Sequence, residues 1–291
     1  MELRELNTFI TIVRCGAFSS AARELGYSQS AVTVQVKNLE QALRVRLFDR
    51  IGRKAVLTEQ GRVFYEHAVR IFGELSAAEE ALKQKEELTG SFSLGTINSI
   101  GSSILAPILK RFRDAHPRVR VSITTDTPRI LIELLSSGAL DAVFLLDERI
   151  YDARFVKAVQ REEKVRFVVS HRHPLANRTV SSIRDLLSWP FILTEEDASY
   201  RRVLDARTAG EDIRIFPVFE SNSTDLILEM LSEREEEISF LPEYVVQEGI
   251  DRGSLGVIEV PGYDISVWLQ FLYHRDHFVS REMREALHFF S

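Results

Sequence analysis

Six residues within ten positions, Ser28, Gln29, Ser30, Thr33, Val34 and Lys37, have side chains of types that can contact nucleic-acid bases and phosphates. A glutamine amide bonds adenine bidentately, threonine and valine methyls meet the methyl of thymine, and a lysine suits phosphate or guanine. They share a side only if the segment is a helix. The run Val32-Thr33-Val34-Gln35-Val36 alternates like a strand. At ~100° per residue, however, Val32, Val36, Leu39 and Leu43 form one apolar stripe, and Ser30, Thr33, Val34, Lys37 and Gln41 take the opposite side. The continuation "NLEQAL" has no strand character, and Ser28 is an N-cap candidate. The spacing predicts a helix with Val34 facing outwards. Downstream, Arg50, Arg53 and Lys54 cluster around Gly52, between short apolar stretches at 46–48 and 55–57. That pattern predicts a small β-wing with a tip suited to phosphate contacts.

A second set of polar residues stands where strands end and helices begin, at "TINSIGSS", "TTDTPRI", "TEEDASYRR" and beyond. In open α/β sheets ligands bind at the carboxyl ends of strands, against unpaired helix N-terminal N–H groups. The candidates are Asn98, Ser99, Ser102, Thr125, Thr127, Ser199, Tyr200, Arg201 and Asn222, with Ser99, Thr127 and Asn98 first. Each alone reads as a helix cap more readily than as a ligand contact. Pro128 fits a first helical position. Helix N-termini with Arg129 or Arg201 suit a small carboxylate, whereas Glu195, Glu196 and Asp197 suit a cationic group.

No catalytic constellation accompanies these sets, so the expectation is a protein that is not an enzyme and uses no cofactor. His171 and His173 form a metal-like pair without a third ligand, and no metal site is expected. Cys15, the single cysteine, excludes an internal disulfide and reads as an inert thiol. Glycine-rich phosphate loops, a Gly-x-Ser-x-Gly elbow and His-Glu-x-x-His are absent from the sequence.

The elements that must position these residues follow from periodicity. Leu3, Leu6, Phe9, Ile10 and Val13 predict a first helix ending at Gly16. "AFSSAARELG" predicts a short second helix, capped by Ser19 or Ser20 and stopped by Gly26, so that helix, tight turn and helix run together. From Thr58 to Thr89 the residues Phe64, Ala68, Ile71, Leu75, Ala78 and Leu82 recur at alternating intervals of four and three, a seam for a second copy of the same helix. The remainder alternates strand and helix patterns, predicting an α/β sheet largely parallel in character.

Composition bounds the partners. The chain has 291 residues, 45% hydrophobic and 27% charged, with no apolar run of the ~18 residues that spans a membrane. The charged start "MELRELNTF" is unlike a signal peptide, which with the lone cysteine predicts the cytoplasm. The net charge of −6 is uneven: residues 1–60 hold nine Arg or Lys against six Asp or Glu, a head of +3 on a body of −9. A polyanion would therefore bind at the head.

The segments "LNTFITIVRCGAFSSAARELGYSQSAVTVQVKNLEQAL", "RLFDR" and "LTEQGR", in order and correctly spaced, resemble the LysR-type transcriptional regulators. The resemblance extends over the whole chain. It implies an α plus α/β fold: a winged helix-turn-helix DNA-binding domain at 1–58, a linker and dimerisation helix at 59–89, and an effector-binding domain at 90–291. That last domain would resemble a periplasmic binding protein, with lobe one at 90–160 and 266–291 and lobe two at 161–265. The implied partners are double-stranded promoter DNA, a small-molecule effector between the lobes, further copies in a homodimer or homotetramer, and RNA polymerase. Members commonly have proline at the position of Ser30, arginine at that of Val34, and a Gly-x-Gly turn where this chain has 232–237. The Val34 departure removes a charged groove contact, and the missing glycines reshape a loop expected near the cleft. The rival reading is a metabolite-binding protein whose head makes protein contacts; it requires a more apolar reading face than Gln29, Ser30, Thr33 and Lys37.

Overall fold

In a computed structural model the described residues are 1–51, 54–81, 87–275, 277 and 279–290. The head opens with α1 (Leu3–Cys15), α2 (Phe18–Leu25) and α3 (Gln29–Leu43), followed by a hairpin of β1 (Phe48–Ile51) and β2 (Lys54–Leu57). Gly16 and Gly26 close α1 and α2 in the left-handed region, at φ 67° and 69°, where glycine is unstrained. The cap of α2 differs from expectation: its N-cap is Ala17, with no side-chain bond, and Ser19 and Ser20 lie inside the helix. The first wing strand lies further along than 46–48 and the second starts one residue before 55–57, the two pairing from Phe48↔Leu57 to Ile51↔Lys54.

The head has its own core, in which Phe9, Ile12, Ala21, Val32, Leu39 and Leu47 are completely or almost completely buried. Phe9 is central, its ring centroid 5.3 Å from both Phe48 and Phe64. Glu40 ties the end of α3 to the wing, its Oε1 accepting from the N–H groups of Leu47 (2.7 Å) and Phe48 (3.3 Å).

The long helix α4 (Glu59–Ala81) starts beneath the wing, where the Thr58 hydroxyl caps Gly61 N–H at 2.9 Å. A Cβ at Gly61 would stand 2.1 Å from the Leu47 carbonyl oxygen, so the close approach of helix and wing requires glycine there. Beyond it, the Tyr65 hydroxyl occupies the space above Gly138 in the body, and its ring meets His277 at 6.2 Å.

The body contains β3 (Gly90–Thr96), α5 (Asn98–Ile100), a π turn (Gly101–Leu105), α6 (Ala106–Ala115), β4 (Val119–Thr125), α7 (Pro128–Ser136) and β5 (Ala142–Asp147). Then come β6 (Phe155–Ser170), β7 (Arg178–Thr179), β8 (Ile192–Leu193), α8 (Ser199–Ala209), β9 (Phe219–Glu220) and α9 (Thr224–Glu233). It ends with β10 (Ile238–Pro242), α10 (Glu243–Asp251), β11 (Leu255–Glu259), β12 (Ile265–His274) and α11 (Arg281–Phe290). One eight-stranded sheet runs β4-β3-β5-β12-β6-β11-β7, with β10 also on β6.

This sheet is mixed, which corrects the expectation of a largely parallel one. β3 pairs parallel with β4 and β5, but β12 runs antiparallel to β5 and β6, as do β10 and β11 to β6. The cause is the double crossing between lobes. The 16-residue β6 carries the chain from the first lobe into the second, β12 carries it back, and two neighbouring crossings in opposite directions must be antiparallel. A continuous buried core, from Phe92 and Phe144 through Phe167 to Phe240, spans both lobes.

Candidate DNA interface and effector cleft

The helix predicted for 28–43 is present, and its cap is the predicted residue: Ser28 Oγ accepts from Ala31 N–H at 3.2 Å. Val32, Val36 and Leu39 are buried against α1 and α2. Ser28, Gln29, Ser30, Val34 and Lys37 are exposed and Thr33 is half-buried, so all six lie on or beside one open face. Ser28 and Ser30 share a hydroxyl hydrogen bond of 2.9 Å, and the Thr33 hydroxyl donates to the Gln29 carbonyl at 2.9 Å. The Thr33 hydroxyl is thereby turned onto the backbone, leaving its methyl as the contact surface. Glu40, the one carboxylate in α3, is engaged with the wing backbone, so no acid opposes an incoming phosphate on this face. Tyr27, 43% exposed beside the cap, joins the face; its place in a turn gave no periodic signal. In the wing, Arg50 and Lys54 take positions opposite Ala55 and Ile51, while Arg53 lies outside the described residues.

The dimerisation seam is corrected in part. Ala68 is fully buried, and Phe64 packs against Phe9 with the rings tilted by 53°, so these two belong to the head's own core. Heptad spacing does not distinguish a seam facing a partner from a stripe facing the same chain, and here the first turns of α4 are covered by α1. Ile71 and Ala78 are exposed and Leu75 is half-buried, leaving the later turns open; Leu82 lies outside the described residues.

Between the lobes lies a cavity of about 260 Å³. Seven of the nine cleft candidates line it: Asn98, Ser99, Thr125 and Thr127 from the first lobe, and Ser199, Tyr200 and Asn222 from the second. Thr127 is the N-cap of α7, with Pro128 at the first helical position and no side-chain capping bond, so its hydroxyl is left to the cavity. Three contacts bind the lobes around the rim. Ser99 Oγ meets Tyr244 Oη at 2.8 Å, Ser199 Oγ donates to the Leu146 carbonyl at 2.9 Å, and Arg202 pairs with Asp147 at 2.9 Å. Burial raises the pKa of Asp147 despite Arg202, and raises those of the Tyr200 and Tyr244 phenols, which stay protonated donors.

Two candidates are corrected. Arg201 faces away from the cavity: its side chain is 4% exposed and bonds Thr194 O (2.7 Å), Glu220 (2.9 Å) and Asp205 (2.9 Å). Two residues after Ser199 on a helix is a rotation of ~200°, which turns Arg201 into the lobe. Ser102 falls in the π turn, where the helical phase changes, and is exposed outside the cavity lining. The charged run 232–237 is also absent from the lining; Glu235 instead pairs with Arg172 at 2.9 Å. Residues not singled out from sequence, Ile97, Asp126, Leu146, Thr194, Ala198 and Thr224, also line the wall. Thr224 follows the N-cap Ser223, and the run Ser221-Asn222-Ser223-Thr224 was a legible helix start.

The other reactive residues have structural roles. Cys15 Sγ donates to Glu24 at 3.1 Å, and burial with that carboxylate raises its pKa to about 11, which keeps it a thiol. His173 is buried against Trp189 (4.5 Å), its Nδ1 accepting from Leu175 N–H, and burial lowers its pKa. Among the described residues no group of three or more His, Cys, Asp or Glu is placed to hold a metal ion. Nor is any described helix long and apolar enough to cross a membrane.

A winged helix-turn-helix head with an open polar reading face, joined by a long helix to a two-lobed domain with a cavity between the lobes, defines a ligand-responsive DNA-binding protein. Residues 3–62 match the bacterial regulatory helix-turn-helix protein, lysR family, and residues 85–291 match the LysR substrate binding domain. The chain is similar to the uncharacterized HTH-type transcriptional regulator YwqM of Bacillus subtilis (strain 168), 31% identical over 290 residues, covering 98% of this chain and 96% of that one. It is 29% identical over 289 residues to the HTH-type transcriptional regulator CfxR of Cupriavidus necator, covering 98% and 88%. Its fold resembles a full-length OxyR variant from Pseudomonas aeruginosa (TM-score 0.73, 22% identity, 99% and 93% covered). A second likeness is to HinK, a LysR family regulator from the same species (TM-score 0.54, 22% identity, 99% and 96% covered). The protein belongs to the LysR family of transcriptional regulators and comprises a helix-turn-helix DNA-binding head and an effector-binding domain.

Proposed function

We propose that a small metabolite bound in the inter-lobe cavity sets how the heads address promoter DNA. The observation that carries this reading is the coincidence of cavity and hinge. Residues that line the space, Ser99 and Ser199, also make the hydrogen bonds that hold one lobe to the other. A ligand there touches both lobes at once and favours whichever disposition fits it better. The face of α3 from Ser28 to Lys37 reads the major groove, with Arg50, Arg53 and Lys54 of the wing on phosphate. The protein works in the cytoplasm as a homodimer or homotetramer, with the open later turns of α4 meeting a second copy and two heads spanning successive half-sites. RNA polymerase at the same promoter is the partner that regulation addresses. No cofactor other than the effector enters this scheme. The test is a thermal-shift screen of small metabolites on the full-length protein and on Thr127→Trp, which fills the cavity from the first lobe. Compounds that stabilise the parent and not the variant support the reading; equal stabilisation of both places the effector elsewhere.

A further inference from the structure

We propose that the effector is a small amino acid, held by its ammonium group at Glu195 and by its carboxylate at the starts of α7 and α9; this rests on the cavity being the effector site. The charges of the wall are one-sided. The cavity is lined by two carboxylates, Asp126 and Glu195, and by no Arg, Lys or His among the described residues. The arginines nearest in sequence are engaged elsewhere: Arg201 with Asp205 and Glu220, Arg202 with Asp147, and Arg129 with Glu133 at 3.1 Å on the surface.

Glu195 has no cationic partner of its own. Its Oε2 is buried without a hydrogen-bond partner, and burial, with Asp197 and Glu220 nearby, raises its pKa. A carboxyl so placed is completed by a ligand that brings a positive N–H donor. A dicarboxylate or phosphate would instead meet two like charges, opposed only by the partial charge of helix ends, about half an elementary charge each.

The opposite need is also built into the wall. α7 and α9 begin at Pro128 and Thr224, on different lobes, and both starts line the cavity. At α7 Pro128 has no N–H and Thr127 N–H donates to Asp126, so that end adds the helix dipole and the Thr127 hydroxyl. At α9 the Ser223 hydroxyl accepts from Leu226 N–H, and the N–H groups of Thr224 and Asp225 favour an anionic oxygen. Thr224 marks this end as unfinished: it is 2% exposed, and its Oγ1 is buried without a hydrogen-bond partner. An amine alone would satisfy Glu195 and leave this end unmatched, and a monocarboxylate alone would do the reverse. A volume of about 260 Å³ admits an amino acid and is small for a nucleotide.

The experiment uses the full-length protein, thermal shift and calorimetry. The ligands are the twenty protein amino acids and, for each that binds, its deamino acid and its decarboxylated amine. At least one amino acid is expected to bind, with both analogues weaker by about tenfold or more. Glu195→Gln, which keeps the shape, is expected to weaken the amino acid by at least about tenfold while leaving the deamino acid unchanged or tighter. The inference is overturned if no amino acid binds at ~10 mM, if a deamino acid binds as tightly as its parent, or if Glu195→Gln binds the amino acid normally. Thr127→Trp separates the two levels. An acid without an amine whose binding this variant abolishes removes the amino-acid inference but leaves the cavity as effector site. An amino acid that binds both variants normally removes the cavity as well.

Discussion

Val34 gives the sharpest test of how the head meets DNA. It is 55% exposed on the side of α3 opposite the buried Val32 and Val36, with Ser30 and Lys37 on the same open face. Val34→Arg adds one cation per head to that face. If the face lies in the groove, each new guanidinium reaches a phosphate and steepens the dependence of log K on log salt by about 0.9. Two heads in a dimer then add about 1.8, so raising salt from ~50 to ~200 mM costs the variant about twelvefold more affinity than the parent. Taking the contact as neutral at 1 M salt, the variant binds about thirtyfold tighter near 0.15 M. Fluorescence anisotropy on a duplex of mixed sequence measures both quantities without knowledge of the operator. Tyr151→Arg, at a position 76% exposed on the body, is the control and leaves the slope unchanged. If Val34→Arg matches the parent in slope and affinity, α3 does not lie against the DNA backbone, and the docking argument fails.

Other substitutions test the packing. Phe9→Ala removes the centre of the head core and is expected to cost about 3–5 kcal/mol, abolishing DNA binding while the body keeps its own thermal transition in calorimetry. Ala68→Asp buries an unpaired charge and unfolds the head, whereas Ile71→Asp, at a 45% exposed site, changes stability by no more than about 0.5 kcal/mol but lowers the mass seen in sedimentation. Cys15, its pKa raised from 9.0 to about 11, is expected to alkylate about a hundredfold more slowly than a free thiol at neutral pH, and Glu24→Gln to speed it. Glu195 has a folded pKa raised above its ordinary 4.5, so its contribution to stability is greatest below that value and falls as pH rises through the folded pKa. Glu195→Gln should therefore raise Tm at pH 7.5 and change it little at pH 4; a lower Tm at pH 7.5 contradicts this.

Legibility in the sequence followed how local each signal was. The reading helix was legible because Val32, Val36, Leu39 and Leu43 repeat at helical spacing, and that stripe packs as expected. The strand ends that build the cavity were legible from residues such as Thr127-Pro128, whose local geometry is set within two positions. What depends on partners distant in the chain was not. Arg201 looks like a ligand contact until Glu220, nineteen residues on, claims its guanidinium. Phe64 and Ala68 fit a heptad seam as well as they fit the pocket around Phe9, and only the tertiary packing decides. The antiparallel run of β12 against β6 joins segments a hundred residues apart, which no local pattern encodes. Tyr244, the partner of Ser99, belongs to the same class: a tyrosine after "LPE" gives no sign that it crosses between lobes.

The central claim is that the face from Ser28 to Lys37 reads a base sequence. Its most direct measurement is the affinity of the full-length protein for DNA from its own upstream region, against a shuffled duplex of equal length, at ~150 mM salt. Specific binding tighter by about 10³-fold or more is expected, lost in Gln29→Ala with Lys37→Ala while sedimentation shows the oligomer intact. Equal affinity for the two duplexes, or specific binding that survives both substitutions, would contradict it.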